Sequence, residues 1–282
     1  MTDLHIHSDA SDGFLSPGDL IAYGASKGLR IMALTDHDTV AGIDEASVAA
    51  QQHNITFIPG IELNIQWPTG EFHLLGLGLK NPSSSLLNII AFLQESRNTR
   101  NDKILKKMQA FGIKVSAEEL FAMFSTKALG RPHFAEYLVS KKIVKTRQQA
   151  FDKYLGRNKE FYIGHEGANL AEAVIAVKES GGIPVIAHPM SLYVSWGKLE
   201  GVLQNIFNTG VEGLEAWHPA IRISEAQRLE ELGRKLGFFI TAGSDFHGKN
   251  VRSDRKIGKT SGGLSIDDRF WFEELKPRLN IL

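Results

Sequence analysis

No cysteine occurs among the 282 residues. That absence excludes disulfides, thiolate metal sites and cysteine nucleophiles, and it fits a reducing compartment. An excess of charge is also missing, because 32 basic residues are balanced by 32 acidic ones. A chain without net charge is not built to hold a long nucleic acid duplex by neutralising phosphates. A small phosphorylated ligand in a local basic pocket stays open, since a net sum hides local fields. No apolar run approaches the ~20 residues of a membrane span, and no basic segment followed by an apolar one opens the chain. We therefore expect a cytoplasmic protein without a membrane partner. Oligomeric state is not legible.

What is present alternates. Short apolar runs each end in a polar cluster. "LHI" leads to His7 and Asp12, and "LRIMALTDHDT" ends at Asp36, His37 and Asp38. "ITFIPGIELNI" contains Glu62, and "EFHLLGLGL" carries His73. "GGIPVIAHP" ends at His188, "GVEGLEAWHP" at Glu215, Trp217 and His218, and "GFFITAGSDFH" at Asp245 and His247. Helical patterns lie between them, such as "PGDLIAYGASKGL" and "SEAQRLEELGRKLGF", the latter with Ser224 as the expected N-cap. Strand, polar cluster, helix and strand again is the grammar of a parallel α/β fold. Reactive groups in such barrels sit where strands end. From Asn81 to His165 the reading turns mostly helical. We expect a barrel from 1–80 and 166–282, and a helical insertion, 81–165, that forms part of the substrate pocket. "PSSS" at Pro82 to Ser85 is the expected hinge.

Six of the ten histidines, at 5, 7, 37, 73, 188 and 247, fall in or just after a predicted strand and near carboxylates. On a parallel barrel all six converge on one rim. Residues i and i+2 of a strand point the same way, so His5 and His7 reach one ion together. Asp12 lies far enough along the loop to reach a second, and Asp245 and His247 repeat the i, i+2 spacing. Imidazole and carboxylate donors without thiolate suit Mn, Fe or Zn. Two such ions roughly 3.5–4 Å apart lower the pKa of a shared water toward ~7. That hydroxide would attack phosphorus in line while the ions neutralise the developing charge. No serine nucleophile is needed, and Ser244 in "GSDF" lacks the G-x-S-x-G elbow.

"LHIHSDASDG", "TDHDT", "GIE", "IAHP" and "GSDFH" occur in this order, and together they resemble the motifs of the PHP (polymerase and histidinol phosphatase) family of metal-dependent phosphoesterases. The resemblance implies a distorted seven-stranded (β/α) barrel with two or three divalent ions on one rim, manganese first among them. It implies one ion on His5, His7, Glu62 and Asp245, and a second on Asp12, His37 and His247. A third would use Glu62 as a bridge with His73 and His188. "GRPH", with Arg131 and His133 in a helical insertion, resembles the subgroup that removes the 3′-phosphate of nucleoside 3′,5′-bisphosphates such as pAp, relatives of which trim 5′ ends of short RNA. A small nucleotide or short oligonucleotide is therefore the expected partner.

Arg131 at a helix start is suited to phosphate, with His133 assisting. Arg97 and Arg100 are candidates for a second phosphate. Asp36 and Asp38 are expected to orient His37. His165 and His218 are candidates for support or proton donation, and Trp217 for packing or base stacking. Three alternatives remain: a histidinol phosphatase, whose pocket needs an acidic partner for an amine; a metal-dependent amide hydrolase; and a non-catalytic scaffold of the kind found in DNA polymerases. The last tolerates missing donors, and this chain keeps the whole set.

Overall fold

The apolar runs become seven strands: β1 (Thr2–Ile6), β2 (Ile31–Leu34), β3 (Thr56–Ile65), β4 (Phe72–Leu77), β5 (Ile183–Ile186), β6 (Gly213–Trp217) and β7 (Phe239–Ala242). The structure is a computed structural model and describes residues 1–124, 129–164, 166–249, 251–252 and 254–279. The strands lie side by side in chain order. Beyond β7 the chain meets β1 again. Asp245 N–H donates to His5 O and His7 N–H donates to Phe246 O, each at 2.9 Å. This seam makes an α/β barrel of seven strands, distorted and nearly closed.

β1, β2 and β3 pair in parallel, as do β5, β6 and β7. The expectation of a wholly parallel sheet fails at β4, which is antiparallel to both neighbours. Only residues 66–71 join β3 to β4. A parallel connection needs a crossover of a dozen or more residues, so six permit only a hairpin. The reversal puts the start of β4 at the rim where the other strands end. His73, its second residue, is therefore carried to the same rim as the other donors.

The helices are α1 (Pro17–Ser26), α2 (Ile43–Gln52), α3 (Ser84–Ala110), α4 (Ala117–Phe124), α5 (Arg131–Ser140), α6 (Arg147–Ala150), α7 (Leu170–Glu179), α8 (Trp196–Asn208) and α9 (Ile223–Leu236). A wider π turn, Phe151–Leu155, continues α6. Ser16 caps α1 by accepting the Asp19 N–H at 3.1 Å, and Pro17 follows it. Ser224 is not the cap of α9. The helix starts one residue earlier, where the Glu225 carboxylate takes the Arg222 N–H at 2.9 Å.

α3 belongs to two cores. Leu86, Ile90 and Leu93 pack into the barrel core with Leu74, Val177 and Ile186. Ile104, Leu105 and Met108 pack into a second core with Phe134, Tyr137, Leu138 and Phe161. Each such side chain contributes about 1.5–3 kcal/mol on burial. Ser83, within "PSSS", is the N-cap of α3 and accepts the Leu86 N–H at 3.1 Å. Among the described residues no helix is long and apolar enough to cross a membrane.

Candidate metal centre

In β1 the two-residue period puts Asp3, His5 and His7 on one side and Leu4 and Ile6 on the other. His37 follows β2, His188 follows β5, and Asp245 and His247 follow β7. All of them turn toward Glu62 of β3, which is fully buried. Glu62 Oε1 lies 3.0 Å from both His73 Nδ1 and His188 Nε2. Its Oε2 lies 3.3 Å from the Nε2 atoms of His5 and His7 and 3.1 Å from His37 Nδ1. Asp245 Oδ1 is 3.4 Å from His7 Nε2, and Asp12 Oδ1 is 3.2 Å from His247 Nε2. The nine sequence-predicted donors thus stand at one mouth.

The outer hydrogen bonds fix which way each ring faces. Glu215 Oε1 accepts from His5 Nδ1 at 3.0 Å, which leaves the His5 Nε2 lone pair facing the centre. The Ser191 hydroxyl donates to Glu71 O at 2.8 Å, so it accepts from His188 Nδ1 at 2.9 Å and leaves His188 Nε2 free to coordinate. His247 donates its Nδ1–H to Asp245 O at 2.9 Å, with the same result. Lone pairs therefore face carboxylates, and the Nε2 atoms of His5 and His7 face each other at 3.0 Å. His7 Nδ1, Asp12 Oδ1, His37 Nδ1 and Glu62 Oε2 are buried without a hydrogen-bond partner.

Acceptors packed this way repel one another unless a cation lies between them. Two donors each about 2.1 Å from one ion stand about 3–4 Å apart, which is the spacing seen here. Four groups meet this requirement: His7, Asp12, His37 and His247; His5, His7 and Asp245; His5, Glu62 and His188; His37, Glu62 and His73. Within each, the ligand atoms lie within 4.8 Å of one another. The donor set fits divalent cations.

The charges agree. Burial opposes ionisation of Glu62, Asp12 and Asp245, but the surrounding histidines, with Arg252 beside Asp245, outweigh it and hold all three well below the usual carboxylate range. Burial and the neighbouring His247 push His7 down to about 3. His7 is then neutral at pH 7, the form that coordinates a metal.

Several supports escape the sequence reading. Buried Asp3 accepts from Ser244 N at 2.9 Å and Gly258 N at 2.7 Å, and so ties β1 to the loop after β7; burial pushes its carboxyl up to about 6. Asp36 does not orient His37. It accepts from the Ser8 N–H and from the hydroxyls of Ser8 and Ser11, and burial pushes it up to about 7. Asp38 likewise accepts from the Asn64 N–H and pairs with Arg97. Both hold loops rather than the ring, because the His37 Nδ1 face is already turned to Glu62. Glu215 orients His5 and also accepts the His188 N–H at 2.8 Å. The one signal for Asp3 and Glu215 is a charge inside an apolar strand. Asp38, His188 and Asp245 have φ of 52°, 27° and 51°. Such left-handed backbone in non-glycine residues clusters at functional sites.

The candidate substrate groups all have partners. Arg97 pairs with Asp38. Arg100 is buried, bonds to Asn101 Oδ1 at 3.0 Å, and is pushed down to about 9 by burial and by Arg97. Arg131, mostly buried, pairs with Glu71 in the β3–β4 hairpin. His133 Nδ1 accepts the Gly130 N–H at 2.9 Å and caps α5. A Cβ on Gly130 would stand 3.6 Å from Asp12 Oδ2, so the start of α5 overhangs the donors. Arg252, not anticipated, reaches Asp245 Oδ2 at 2.9 Å. His218 Nδ1 accepts the Ala220 N–H at 3.2 Å, so its Nε2–H donates to Asp245 Oδ2 at 3.3 Å; it orients that carboxylate. Trp217 packs against the barrel core and donates to Glu230 at 2.6 Å. His165 lies outside the described residues.

The barrel and its ring of imidazoles and carboxylates define a metal-dependent hydrolase. The PHP domain family matches over residues 3–167, more than half of the chain, and the chain belongs to that family. A 3′,5′-nucleoside bisphosphate phosphatase from Chromobacterium violaceum is 30% identical over 98% of this chain and 97% of its own length. A 5′-3′ exoribonuclease from Haemophilus influenzae is 31% identical over 87% and 89%. A phosphoribosyl 1,2-cyclic phosphate 1,2-diphosphodiesterase from Eggerthella lenta is 27% identical over 88% and 94%. Among solved structures, an amidohydrolase from Chromobacterium violaceum with bound sulfate and no metal superposes with a TM-score of 0.83 at 30% identity, covering 92% and 90%. A protein from Bifidobacterium adolescentis described as a "metal-dependent phosphoesterase" gives 0.81 at 27%, covering 95% and 93%. The chain is a metal-dependent phosphoesterase.

Proposed function

We propose that the chain removes the 3′-phosphate of nucleoside 3′,5′-bisphosphates, converting pAp to AMP, and that it also trims the 5′ ends of short RNA. The observation that carries this reading is the end-to-end match to the bisphosphate phosphatase, 98% of one chain and 97% of the other. The exoribonuclease matches support the RNA activity. The nine donors described above would hold two or three divalent ions, manganese first and iron or zinc as substitutes, with Glu62 shared between them. When bound, such ions would supply a water ionised near neutral pH and positive charge for the phosphoryl oxygens.

The chain's own groups do the rest. Glu215, Ser191 and the Asp245 carbonyl hold His5, His188 and His247 in coordinating orientation. The start of α5, above Asp12, presents a helix N-terminus to an entering phosphate. Arg131 and Arg252 stand at the mouth and would exchange part of their carboxylate pairing for phosphate oxygens. The amine of histidinol phosphate would face these cations, which argues against that substrate. Residues 81–165 would act as the lid of this pocket.

Protein loaded with Mn²⁺ and given pAp, AMP, histidinol phosphate and a 5′-phosphorylated oligonucleotide should turn over pAp fastest. A preference for histidinol phosphate would overturn the reading. Arg131→Ala should raise KM for pAp by about tenfold, the order expected for a lost charge-assisted contact, with kcat little changed.

A further inference from the structure

We infer that Tyr193 is the platform on which the nucleobase of the substrate stacks. The inference rests on the nucleotide reading given above.

Tyr193 is 78% exposed, the most exposed large hydrophobic side chain among the described residues. Its backbone is left-handed, with φ 51° and ψ 41°. Glycine or asparagine takes that conformation readily, whereas a bulky ring does not. A turn that needs only the backbone shape gains nothing from tyrosine here. Strain of this kind persists where surrounding contacts over-determine the loop, and here they do. Leu192 O accepts from Trp67 Nε1 at 3.2 Å and from the Thr69 hydroxyl at 2.7 Å. Glu71 N–H donates to Ser191 O at 2.8 Å, and the Ser191 hydroxyl donates back to Glu71 O at 2.8 Å. Gly70 leaves room for the ring, because a Cβ there would stand 2.7 Å from Tyr193 Cδ2. The ring is thus exposed on a rigid base.

The same loop carries groups already placed at the mouth. It begins at His188, whose Nε2 meets Glu62. A 3-10 turn over Pro189–Leu192 separates His188 from Tyr193, a span of about 10 Å at 2 Å per residue. Glu71, which holds this loop through its backbone, holds Arg131 through its carboxylate. Tyr162 and Tyr193 are the titratable groups whose charge reaches Arg131. One hairpin therefore fixes a metal-facing histidine, an arginine and an open aromatic face at the spacing of phosphate and base in a single nucleotide. Stacking on an aromatic ring accepts any base, since every base has a π-face. Trp217 is excluded from this role by its packing against the barrel core.

The test measures binding, so it does not depend on turnover. Titrations of AMP and of ribose 5-phosphate into the Mn²⁺-loaded protein isolate the base. The wild type should bind AMP about tenfold more tightly. Tyr193→Ala should erase that difference and leave ribose 5-phosphate unaffected, while Tyr193→Phe should keep it. Equal binding of the two ligands by the wild type, or an unchanged AMP preference in Tyr193→Ala, would overturn the inference. A preserved stacking preference without phosphate release from pAp would instead overturn the phosphatase reading alone.

Discussion

Glu62 turns both oxygens toward imidazoles from five stretches of chain, and this explains why its neighbours need such firm support. Each ring is held from behind by a group that the sequence hides. The donors themselves are legible, because His5 and His7, or Asp245 and His247, carry their geometry in an i, i+2 spacing. Glu215 is not legible, because its partner His5 lies 210 positions away and only the closed barrel brings them together. Glu215→Gln keeps the size and loses the charge that raises the basicity of His5. Support of this kind is typically worth 10–100-fold in metal affinity. We expect Mn²⁺ affinity, measured by calorimetry, to fall by that amount while circular dichroism stays unchanged.

At the scale of elements, the seam between β7 and β1 is the tightest joint. Gly243 sits there, and a Cβ on it would collide with His5 Cβ and stand 2.5 Å from Glu215 Oε1. Overpacking of this kind costs about 1–3 kcal/mol. Gly243→Ala should therefore lower Tm and weaken metal binding together, because the displaced groups are His5 and its support. A loss of stability with unaltered metal affinity would show that the seam and the site are independent. The reversed β4 illustrates the limit of reading elements from sequence. "EFHLLGLGL" has the apolar content of a strand, but direction is set by the six-residue hairpin before it. Arg97, Asp36 and Asp38 illustrate another limit. Charge near a motif gives no sign of which partner it takes, and here Asp38 takes Arg97 while Asp36 takes two serines.

At the scale of the whole molecule, the packed acceptors of the mouth oppose folding until cations enter. A metal held at a thousandfold excess over its Kd adds about 4 kcal/mol. Exhaustive chelation should then lower Tm by roughly 10 °C, readable by calorimetry. Far from the mouth, Glu230 joins α9 to β6 and to the C-terminal segment through Arg234, Trp217 and Arg269. Burial opposes its ionisation, but those partners outweigh it and hold the carboxyl down to about 2, against 4.5 unperturbed. The unfolded chain takes up this proton first, so the contribution is complete above about pH 4.5 and is lost as the pH falls toward 2. Glu230→Gln should lie a few degrees below the wild type in Tm at pH 7, with the gap narrowing in acid.

The reversed strand has one more consequence. A chain leaving β4 emerges at the floor of the barrel, beside Ser180, so α3 must climb the full height of the wall before it reaches the opening. Its climb from Ser84 to Gln94, which bonds to Asp38 O, is ten residues, about 15 Å of helix. Five residues of strand cover about 16 Å. The helix is thus a ruler cut to the barrel, and everything after Arg97 inherits its elevation from that match. Removing a single residue below Gln94 would swing the roof by about 100°, so the depth of the cavity is encoded in a stretch of sequence that touches no ligand.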